Sequence, residues 1–446
     1  MTVTLSQLDS KKNEPTDKEI KSFLNGIGRI DSNFDGNILK PYLHHNNKDI
    51  RLLAIKNIGK MKNIGYLNTA KSIYDKDPSS TVRRECVSTI GRMKSEEIIP
   101  ILIKILDDND PKIVLQAIRG LLPFKNREIV KIALENIKNH PNEIIQEVVN
   151  IETSPPKRTN KNHVEVRDFL QNVVVNGDVR EVLKLIPEDS IHLSFTSPPY
   201  YNARDYSIYK SYQKYLNFLS EVFKDLYRVT KEGRFFILNT SPVIVPRAGR
   251  KYSSKRYGIP FDIHSRLVDM GWEFVDDIIW LKPEGSAKNR IGGFVQHRKP
   301  LAYKPNIVTE YLMVYRKNTG RLIDWNIKQY DKESVESSRI LGEYDHTNVW
   351  EINPDYDDVH PAIFPEELCD KVIKYYSYKK DLVFDPFSGS GTLAKSALKL
   401  GRYFFLSEIQ EKYFNRIKER LKELPLDKIK KPKFVDLNQF KGEIHD

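Results

Sequence analysis

The sequence predicts two kinds of structure in succession: an all-α repeat domain, then an α/β domain with a doubly wound, mostly parallel sheet. Three observations support this prediction. An apolar pattern recurs every 31 or 32 residues in the first third of the chain. From about residue 166, short apolar segments alternate with helical stretches, which is typical of a parallel sheet covered by helices. Two of these segments run into loops rich in proline or glycine.

Composition limits the classes of protein to which the chain can belong. Its 446 residues exceed one ordinary core, so two or three domains are expected. A net charge of +12 and a pI near 9.2 favour a polyanionic partner, although a Lys-rich solvated surface has the same composition. Two cysteines are too few for a disulfide framework or a four-ligand zinc site, which indicates no metal and a reducing, cytoplasmic location. The charged first twenty residues and the lack of a long apolar run argue against secretion and membrane insertion.

The first 150 residues carry the repeated pattern. The aligned segments are residues 50–55, 82–87 and 113–118, and the small residues at their fifth positions are Ala54, Cys86 and Ala117. Apolar residues at helical spacing, with a small residue where helices cross, predict a stack of helix pairs. The unit resembles a short HEAT repeat, and three units suffice to bury a continuous core. Cys86 is therefore expected to be a buried, inert thiol.

Residues 151–165 are polar, basic and contain two prolines, so they predict a linker before the second domain. Strands and helices are expected to alternate from residue 166 to about 425. The candidate strands are residues 173–175, 191–195, 235–239, 275–281, 311–315, 382–384 and 403–406. The fourth and fifth of these are not separated by a long helix, which favours an antiparallel edge to the sheet.

The first informative loop, residues 196–200 (Thr-Ser-Pro-Pro-Tyr), directly follows an apolar strand. An exocyclic amine of a nucleobase is a poor nucleophile because its lone pair is delocalised into the ring. The Ser197 hydroxyl and the Pro198 carbonyl can accept both amine hydrogens, and the following Pro199 fixes the direction of these acceptors. Tyr200 offers a flat face for a base that has left the stack.

The second informative loop, residues 385–392 (Asp-Pro-Phe-Ser-Gly-Ser-Gly-Thr), lies between a strand and a helix. Glycine allows a tight turn and close backbone approach to a ligand, so a side chain at Gly391 is expected to block the path of a cofactor. The helix N-terminus favours an anionic group. Glu408 ends the next strand, about 20 residues beyond the glycines, where a carboxylate can accept from two ribose hydroxyls.

These two loops, in this order, resemble the catalytic and cofactor motifs of the beta-type, permuted DNA amino-methyltransferases. Residues 196–206 are similar to the motif of the N4-cytosine group, in which serine leads. The resemblance covers about residues 165–425 and implies a seven-stranded fold that binds S-adenosyl-L-methionine. The implied catalytic residues are Ser197, Pro198, Pro199 and Tyr200. The implied cofactor-binding residues are Asp178, His360, Pro361, Phe364, Asp385, Pro386, Phe387, Gly389, Gly391, Thr392 and Glu408, with Asp178 at the adenine amine.

The resemblance also divides the second domain. It implies a catalytic half at 166–316, a short variable region at 317–359, a cofactor half at 360–425 and a basic tail at 426–446. The variable region has only about 40 residues, which is small for reading several bases, so two basic loops are expected to contact DNA. Their residues are Arg247, Arg250, Lys251, Lys255, Arg256, Lys288, Arg290, Arg298 and Lys299.

The function implied is sequence-specific methylation of the N4 atom of a flipped cytosine in double-stranded DNA. A cognate restriction endonuclease is the implied functional partner, in a prokaryotic cytoplasm near the nucleoid. Three alternatives remain open: adenine N6 as the target, a non-catalytic scaffold and a protein glutamine amide as acceptor. A 5-methylcytosine enzyme is excluded because neither Cys86 nor Cys369 lies in a Pro-Cys loop. The repeats could clamp DNA or bind another protein.

Overall fold

The computed structural model describes residues 15–28, 30, 34–153, 163–201, 209–245, 249, 251, 255–286, 307–359, 363–422 and 431–445. The chain divides into two compact units, Met1–Arg158 and Thr159–Asp446. Within the described ranges, no helix is both long enough and apolar enough to cross a membrane.

The first unit is all-helical over its described residues. Its α-helices are α1 (Asp17–Gly26), α2 (Lys48–Met61), α3 (Leu67–Lys76), α4 (Ser80–Arg92), α5 (Ile99–Ile105), α6 (Pro111–Leu121), α7 (Glu128–Asn136) and α8 (Glu143–Thr153), with a 3₁₀ helix at Gly36–His44. Side-chain caps from Asn47 and Asp110 begin α2 and α6, because each accepts a hydrogen bond from a backbone N–H of the first turn.

The small residues of the repeat pattern lie where the helices pack. Helix α4 packs between α2 and α6, and Ala54, Cys86 and Ala117 are all fully buried there. A Cβ at Gly91 would lie 3.0 Å from the Cα of Gly120, so α4 and α6 approach each other through two glycines. The predicted stack of helix pairs is thereby confirmed. Burial raises the pKa of the Cys86 thiol, as expected for an inert residue.

The second unit is an α/β structure. Its strands are β1 (Val173–Asn176), β2 (Ile191–Thr196), β3 (Thr230–Thr240), β4 (Val243–Val245), β5 (Lys255–Tyr257), β6 (Trp272–Leu281), β7 (Thr309–Lys317), β8 (Val349–Glu351), β9 (Leu382–Asp385), β10 (Tyr403–Glu408) and β11 (Lys433–Asp436). Its α-helices are α9 (Val179–Leu185), α10 (Tyr212–Val229), α11 (Ile259–Asp269), α12 (Lys332–Ser337), α13 (Glu366–Tyr376), α14 (Thr392–Lys399), α15 (Glu411–Lys422) and α16 (Leu437–His445).

Nine of these strands form one sheet in the order β11-β1-β10-β9-β2-β3-β7-β6-β8. Strand β7 is antiparallel to both of its neighbours, and the other pairings are parallel. The predicted doubly wound fold with an antiparallel pair near one edge is confirmed. The sheet has nine strands rather than seven because β8 and β11 each add to an edge. Residues 433–445, assigned to a basic tail, form β11 and α16.

Helices cover both faces of the sheet and bury a separate apolar core on each. Helices α9, α10, α11 and α16 contribute to one core, and α13, α14 and α15 contribute to the other. The strands between them are buried on both faces, which explains their nearly continuous apolar sequences. This layering leaves the strand ends as the places where polar side chains meet.

At the amino-terminal ends of the parallel strands, buried charges are paired. Asp381, just before β9, accepts from the Arg234 guanidinium, from the Tyr330 hydroxyl at 2.5 Å and from the Tyr378 backbone N–H at 2.8 Å. His192 lies near the same carboxylate, with Nε2 at 3.6 Å from Oδ1. Burial, and then the charge of Arg234, holds the pKa of His192 well below its usual value.

Part of the variable region packs against this same amino-terminal edge. Asn326 donates to the Gly233 carbonyl at 2.7 Å, and the Lys379 backbone N–H donates to the Ser338 hydroxyl at 2.9 Å. Strand β8 then returns the chain to the side of β6, in parallel pairing. Residues 326–338 therefore lie away from the carboxyl ends of the parallel strands.

Candidate active site

Four neighbouring strands bring the predicted site segments to one edge of the sheet. Strands β1, β10, β9 and β2 are adjacent and parallel, so their carboxyl ends lie side by side. Asp178 follows β1, Glu408 ends β10, Asp385 ends β9 and Ser197 follows β2. Ligands bind at the carboxyl edge in such sheets, so this is the candidate active site.

A direct hydrogen bond joins the two loops that the sequence analysis singled out. Thr196, the last residue of β2, donates its hydroxyl to Asp385 Oδ1 at 2.5 Å, and the Phe387 backbone N–H donates to the same oxygen at 3.0 Å. Burial raises the pKa of Asp385 to about 7, while the hydrogen bonds from Thr196 and Phe387 oppose that shift. The two loops, about 190 residues apart in sequence, thus meet at one carboxylate.

Glu408 is the second buried carboxylate at this edge. The Gly389 backbone N–H donates to its Oε2 and the Gln410 backbone N–H to its Oε1, each at 2.8 Å. Burial raises the pKa of Glu408 to about 7, against the effect of these two hydrogen bonds. A carboxylate has about four acceptor positions, so Glu408 can still accept from two hydroxyl groups of a ligand.

The glycines of the loop satisfy backbone geometry first. Gly389 and Gly391 have φ values of 54° and 76°, in the left-handed region. A Cβ at Gly391 would lie 2.9 Å from Ile417 Cγ2 of helix α15. The expectation that a side chain there blocks the cofactor is therefore replaced by a different reason: residue 391 must be glycine to allow α15 to pack.

The remaining loop residues are fixed by the same helix and by aromatic packing. Thr392 begins α14 and accepts from the Arg420 guanidinium at 3.2 Å, so α15 also holds the start of α14. Pro386 is buried, and the half-buried Phe387 ring lies 6.0 Å from the Phe218 ring, centroid to centroid. The loop is therefore held in shape before any ligand binds.

Asp178 has a local partner that the sequence analysis did not assign. It caps helix α9 by accepting from the Arg180 backbone N–H at 2.9 Å, and the Arg180 guanidinium donates to both of its oxygens, at 3.1 and 2.6 Å. The side-chain hydrogen bond from Arg180 is the main reason why the pKa of Asp178 is lowered. Asp178 nevertheless lies beside Glu408, because Asn176 pairs in register with Glu408 and donates to its carbonyl at 2.9 Å.

The segment expected beside the methionine end of the cofactor is described only in part. Phe364 stacks on Phe195 of β2, with ring centroids 4.4 Å apart and planes 16° apart. This contact places Phe364 against the strand that leads to Ser197. His360 and Pro361 lie outside the described residues.

The predicted catalytic residues leave β2 at the same edge. Pro198 is buried, while Ser197, Pro199 and Tyr200 are half-buried. The Tyr200 hydroxyl donates to Glu310 Oε2 at 3.0 Å, and Lys282 forms an ion pair with the same carboxylate. Burial, and then the Glu310 charge, raises the pKa of Tyr200 well above its usual value, so the phenol stays protonated.

Glu310 and Lys282 are site residues that sequence reasoning missed. Glu310 lies 110 residues from Tyr200, near the start of β7, and Lys282 directly follows β6. No local motif marks either residue. A polar residue at the start of an antiparallel strand beside the carboxyl ends was the one available signal.

An aromatic cluster connects the catalytic segment with one of the predicted DNA-contacting loops. The ring of the buried Tyr201 lies 5.3 Å from that of Tyr212 and 5.0 Å from that of Tyr257, centroid to centroid. Tyr257 belongs to the two-stranded β4–β5 hairpin, on which Lys255 and Arg256 are exposed. Lys251 is also exposed. The other predicted DNA contacts lie outside the described residues: Arg247, Arg250, Lys288, Arg290, Arg298 and Lys299.

The donor set at the carboxyl edge fits S-adenosyl-L-methionine. Asp385 and Glu408 are buried carboxylates, and neither is paired with a Lys or Arg side chain among the described residues. Such groups suit the hydroxyls and the cationic sulfonium of this cofactor. The strand order and this edge define the chain as a methyltransferase that uses S-adenosyl-L-methionine.

Comparison with known proteins identifies the family. A family model described as DNA methylase matches residues 191–419, slightly more than half of the chain, and a model for HEAT repeats matches residues 37–149. The chain belongs to the DNA methylase family. The orphan methyltransferase M.BamHII of Bacillus amyloliquefaciens is 32% identical over 256 residues, which cover 53% of this chain and 91% of that protein.

Other similar proteins cover comparable parts of this chain. The beta methyltransferase M.BslI of Bacillus sp. (strain NEB-606) is 28% identical over 271 residues, 57% of this chain, but the chain spans only 28% of that protein. A DNA modification methylase from Thermus thermophilus, solved with S-adenosyl-L-methionine, is 26% identical, with 60% and 98% of the two chains covered and a TM-score of 0.47. The cytosine-N4-specific PvuII DNA methyltransferase is 20% identical, with 61% and 92% covered and a TM-score of 0.42.

Proposed function

We propose that this chain methylates the exocyclic N4 atom of a cytosine in double-stranded DNA, at a specific sequence. The hydrogen bond between Thr196 and Asp385, at 2.5 Å, is the observation that supports this most. It joins the end of the strand that leads to Ser197 to the start of the glycine loop, so an acceptor for an amine lies beside a cofactor site. Serine at position 197 favours cytosine, because the resembling adenine enzymes more often have an acidic residue or asparagine there.

The residues of the catalytic segment prepare the amine. The Ser197 hydroxyl oxygen and the Pro198 carbonyl accept its two hydrogens, which draws the nitrogen toward pyramidal geometry and localises its lone pair. Pro199 restricts the backbone, so the two acceptors keep their directions. S-adenosyl-L-methionine, when bound, supplies an electrophilic methyl group on a sulfonium. Glu408 accepts from the hydroxyls of its ribose, and the Asp385 carboxylate favours its positive charge.

The target base must leave the duplex, since its amine is inaccessible within the stack. Tyr200 offers the flipped base a ring to stack on, worth about 1–3 kcal/mol. Residues 326–338 lie on the opposite edge of the sheet, which leaves sequence reading to the basic loops. In this proposal Lys255 and Arg256 of the hairpin contact DNA phosphates, together with the other basic residues predicted from sequence. The affinity for DNA should then fall steeply with salt.

Mass measurement of nucleosides from treated DNA tests the choice of base. We expect N4-methylcytosine after incubation of duplex DNA with the purified chain and S-adenosyl-L-methionine. N6-methyladenine alone would instead support the alternative, because the DNA methylase family model does not separate the two targets. A labelled methyl group found on protein and not on DNA would overturn the proposal.

Substitution of the leading serine tests the mechanism. Ser197→Ala removes one acceptor, and we expect the rate of methyl transfer to fall by about 10²–10³-fold, as for the loss of one transition-state hydrogen bond. The affinity for S-adenosyl-L-methionine should be unchanged, because Asp385 and Glu408 are intact. Single-turnover rates and cofactor titrations measure the two effects, and an unaltered rate would contradict the role of Ser197.

We also infer that a restriction endonuclease is the functional partner of this chain. Several similar proteins are named Type II methyltransferases, although M.BamHII is named an orphan. DNA from a host that expresses the chain should carry the modification at one sequence motif and resist an endonuclease cutting there. Methylation-sensitive sequencing of that DNA would identify the motif, and random methylation would argue against sequence specificity.

A further inference from the structure

A line of three polar contacts runs from the antiparallel part of the sheet to the catalytic segment. It begins at Lys282, just after β6, and continues to Glu310 of β7 through the ion pair. Glu310 then accepts from the Tyr200 hydroxyl at 3.0 Å. The Tyr200 phenol is in turn hydrogen-bonded by the Ser197 side chain. Strand β3 separates β2 from β7, so Tyr200 reaches across one strand to Glu310.

The chemistry of these groups fixes the direction of each hydrogen bond. A carboxylate paired with an ammonium accepts hydrogen bonds and donates none. The single proton of the Tyr200 hydroxyl therefore points at Glu310. The phenol oxygen is then left with lone pairs only, so in its contact with Ser197 it must accept. The Ser197 proton consequently points at Tyr200.

The direction of the Ser197 proton matters for the proposed reaction. A hydroxyl that gives its proton to Tyr200 presents its lone pairs elsewhere, and the amine of the base needs an acceptor. If the proton turned toward the amine, two donors would face each other. Pro198 needs no such control, because its carbonyl is always an acceptor. Among the two acceptors, only the serine can point the wrong way.

We propose that Glu310, held by Lys282, is a positioning residue that sets the hydrogen-bond direction of Ser197 through Tyr200. The inference rests on the proposed function, since it gives Ser197 the role of amine acceptor. Both partners of the pair are largely shielded from water, with 16% of the Glu310 side chain and 21% of the Lys282 side chain exposed. Removal of the carboxylate charge allows the Tyr200 proton to rotate toward Ser197, which reverses the contact.

A double-mutant cycle between Glu310→Gln and Tyr200→Phe tests this inference. Single-turnover methyl transfer is measured at saturating DNA and S-adenosyl-L-methionine. We expect each single substitution to lower the rate by about 10- to 100-fold, the scale of a misoriented reacting group. In the Tyr200→Phe background, Glu310→Gln should have no further effect, because Glu310 acts only through the phenol. Two losses that multiply in the double variant would overturn the inference.

Binding measurements and a control variant separate positioning from a structural role. The dissociation constants for DNA and cofactor should stay within about twofold of the original in all three variants, since neither ligand is bound by Glu310 in this proposal. Glu273→Gln is the matched control: Glu273 lies on β6 near Arg316, 3.7 Å away, at the other end of the strand, and its rate should not change. A rate loss in Glu273→Gln equal to that in Glu310→Gln would overturn the inference.

Two outcomes remain distinct from these. If Glu310→Gln does not fold, Tyr200→Phe alone decides, because it leaves the Lys282–Glu310 pair intact; a normal rate in that variant would refute the inference. If Ser197→Ala keeps a normal rate, or if the original chain transfers no methyl group to DNA, the proposed function itself fails. An impaired Ser197→Ala with multiplicative losses in the cycle refutes only the role of Glu310.

Discussion

Two aspartates at the two ends of β9 have opposite environments. Asp381, at the amino-terminal end, is met by the Arg234 guanidinium and by two neutral donors. Asp385, at the carboxyl end, is met only by the Thr196 hydroxyl and the Phe387 backbone N–H. Both side chains are buried, and the two residues are four positions apart in sequence.

The difference separates an edge that holds the sheet together from an edge that can bind a ligand. A buried carboxylate that faces a guanidinium has its charge balanced by the protein. A buried carboxylate with only neutral donors is costly to ionise, and burial accordingly raises the pKa of Asp385 to about 7. A cationic ligand can balance that charge, so Asp385 gains more from binding than Asp381 does.

Asparagine at each position gives the largest expected contrast. Asp381→Asn leaves Arg234 buried without its counter-charge, and we expect the free energy of unfolding to fall by about 3–5 kcal/mol. Asp385→Asn removes a charge that burial disfavours, so the free energy of unfolding should be unchanged or higher while methyl transfer slows. Urea unfolding at pH 7.5 measures both variants. Equal stability losses would show that the two edges do not differ in this way.

Two glycines offer a second contrast between the edges. Gly391, at the carboxyl edge, and Gly401, before β10, have nearly the same φ, 76° and 74°. A Cβ at Gly391 would meet Ile417 at 2.9 Å, whereas one at Gly401 would lie 3.8 Å from its nearest neighbour, Lys379. Gly401→Ala should cost only backbone strain, about 1 kcal/mol, and Gly391→Ala about 1–3 kcal/mol more through overpacking.

Thermal or urea unfolding measures this pair of alanine variants under identical conditions. The pair keeps the backbone term nearly constant, so the difference between the variants reports the contact with Ile417. Similar losses in Gly391→Ala and Gly401→Ala would mean that α15 moves away at little cost. The cofactor loop would then be less rigid than its packing suggests.

The dependence of stability on pH gives the smallest effect. The pKa of Asp385 is about 7 in the fold and near 3.9 when unfolded, so between pH 4 and 7 the folded chain keeps a proton that the unfolded chain loses. Asp385 thus lowers stability as pH rises through this window, by at most about 1.4 kcal/mol per unit. Burial lowers the pKa of His163 to about 4, below its unfolded value, so His163 raises stability between pH 4 and 6.5.

Asp385→Asn removes only the first of these opposed slopes. Its unfolding free energy should therefore rise more steeply with pH than that of the original chain, between pH 4 and 7. Urea unfolding at half-unit pH intervals compares the two profiles. Parallel profiles would indicate that Asp385 is already ionised in the folded state.

Features that depend on local sequence could be predicted. The strand–loop–helix pattern around residues 385–392 located the glycine turn, and the spacing of the small residues Ala54, Cys86 and Ala117 located the helix crossings. Both follow from backbone geometry and helical periodicity, which a single stretch of sequence encodes. The general fold, an α/β sheet after helical repeats, was therefore accessible without the structure.

Features that depend on pairing between distant segments could not be predicted. Glu310 contacts Tyr200 across 110 residues, and Arg234 pairs with Asp381 across 147. Neither pair has a sequence signature, because any strand can carry a charged residue at its end. The reason for glycine at 391 likewise depends on Ile417, which belongs to a helix formed later in the chain.

The strand order also constrains synthesis of the protein on the ribosome. Strand β1 pairs only with β10 and β11, whose register partners are residues 405–408 and 433–436. A nascent chain must therefore carry β1 unpaired while more than 230 further residues are translated. During that interval its open edge is a site for misassociation, which gives chaperones a substrate and delays enzyme maturation until translation has passed residue 436.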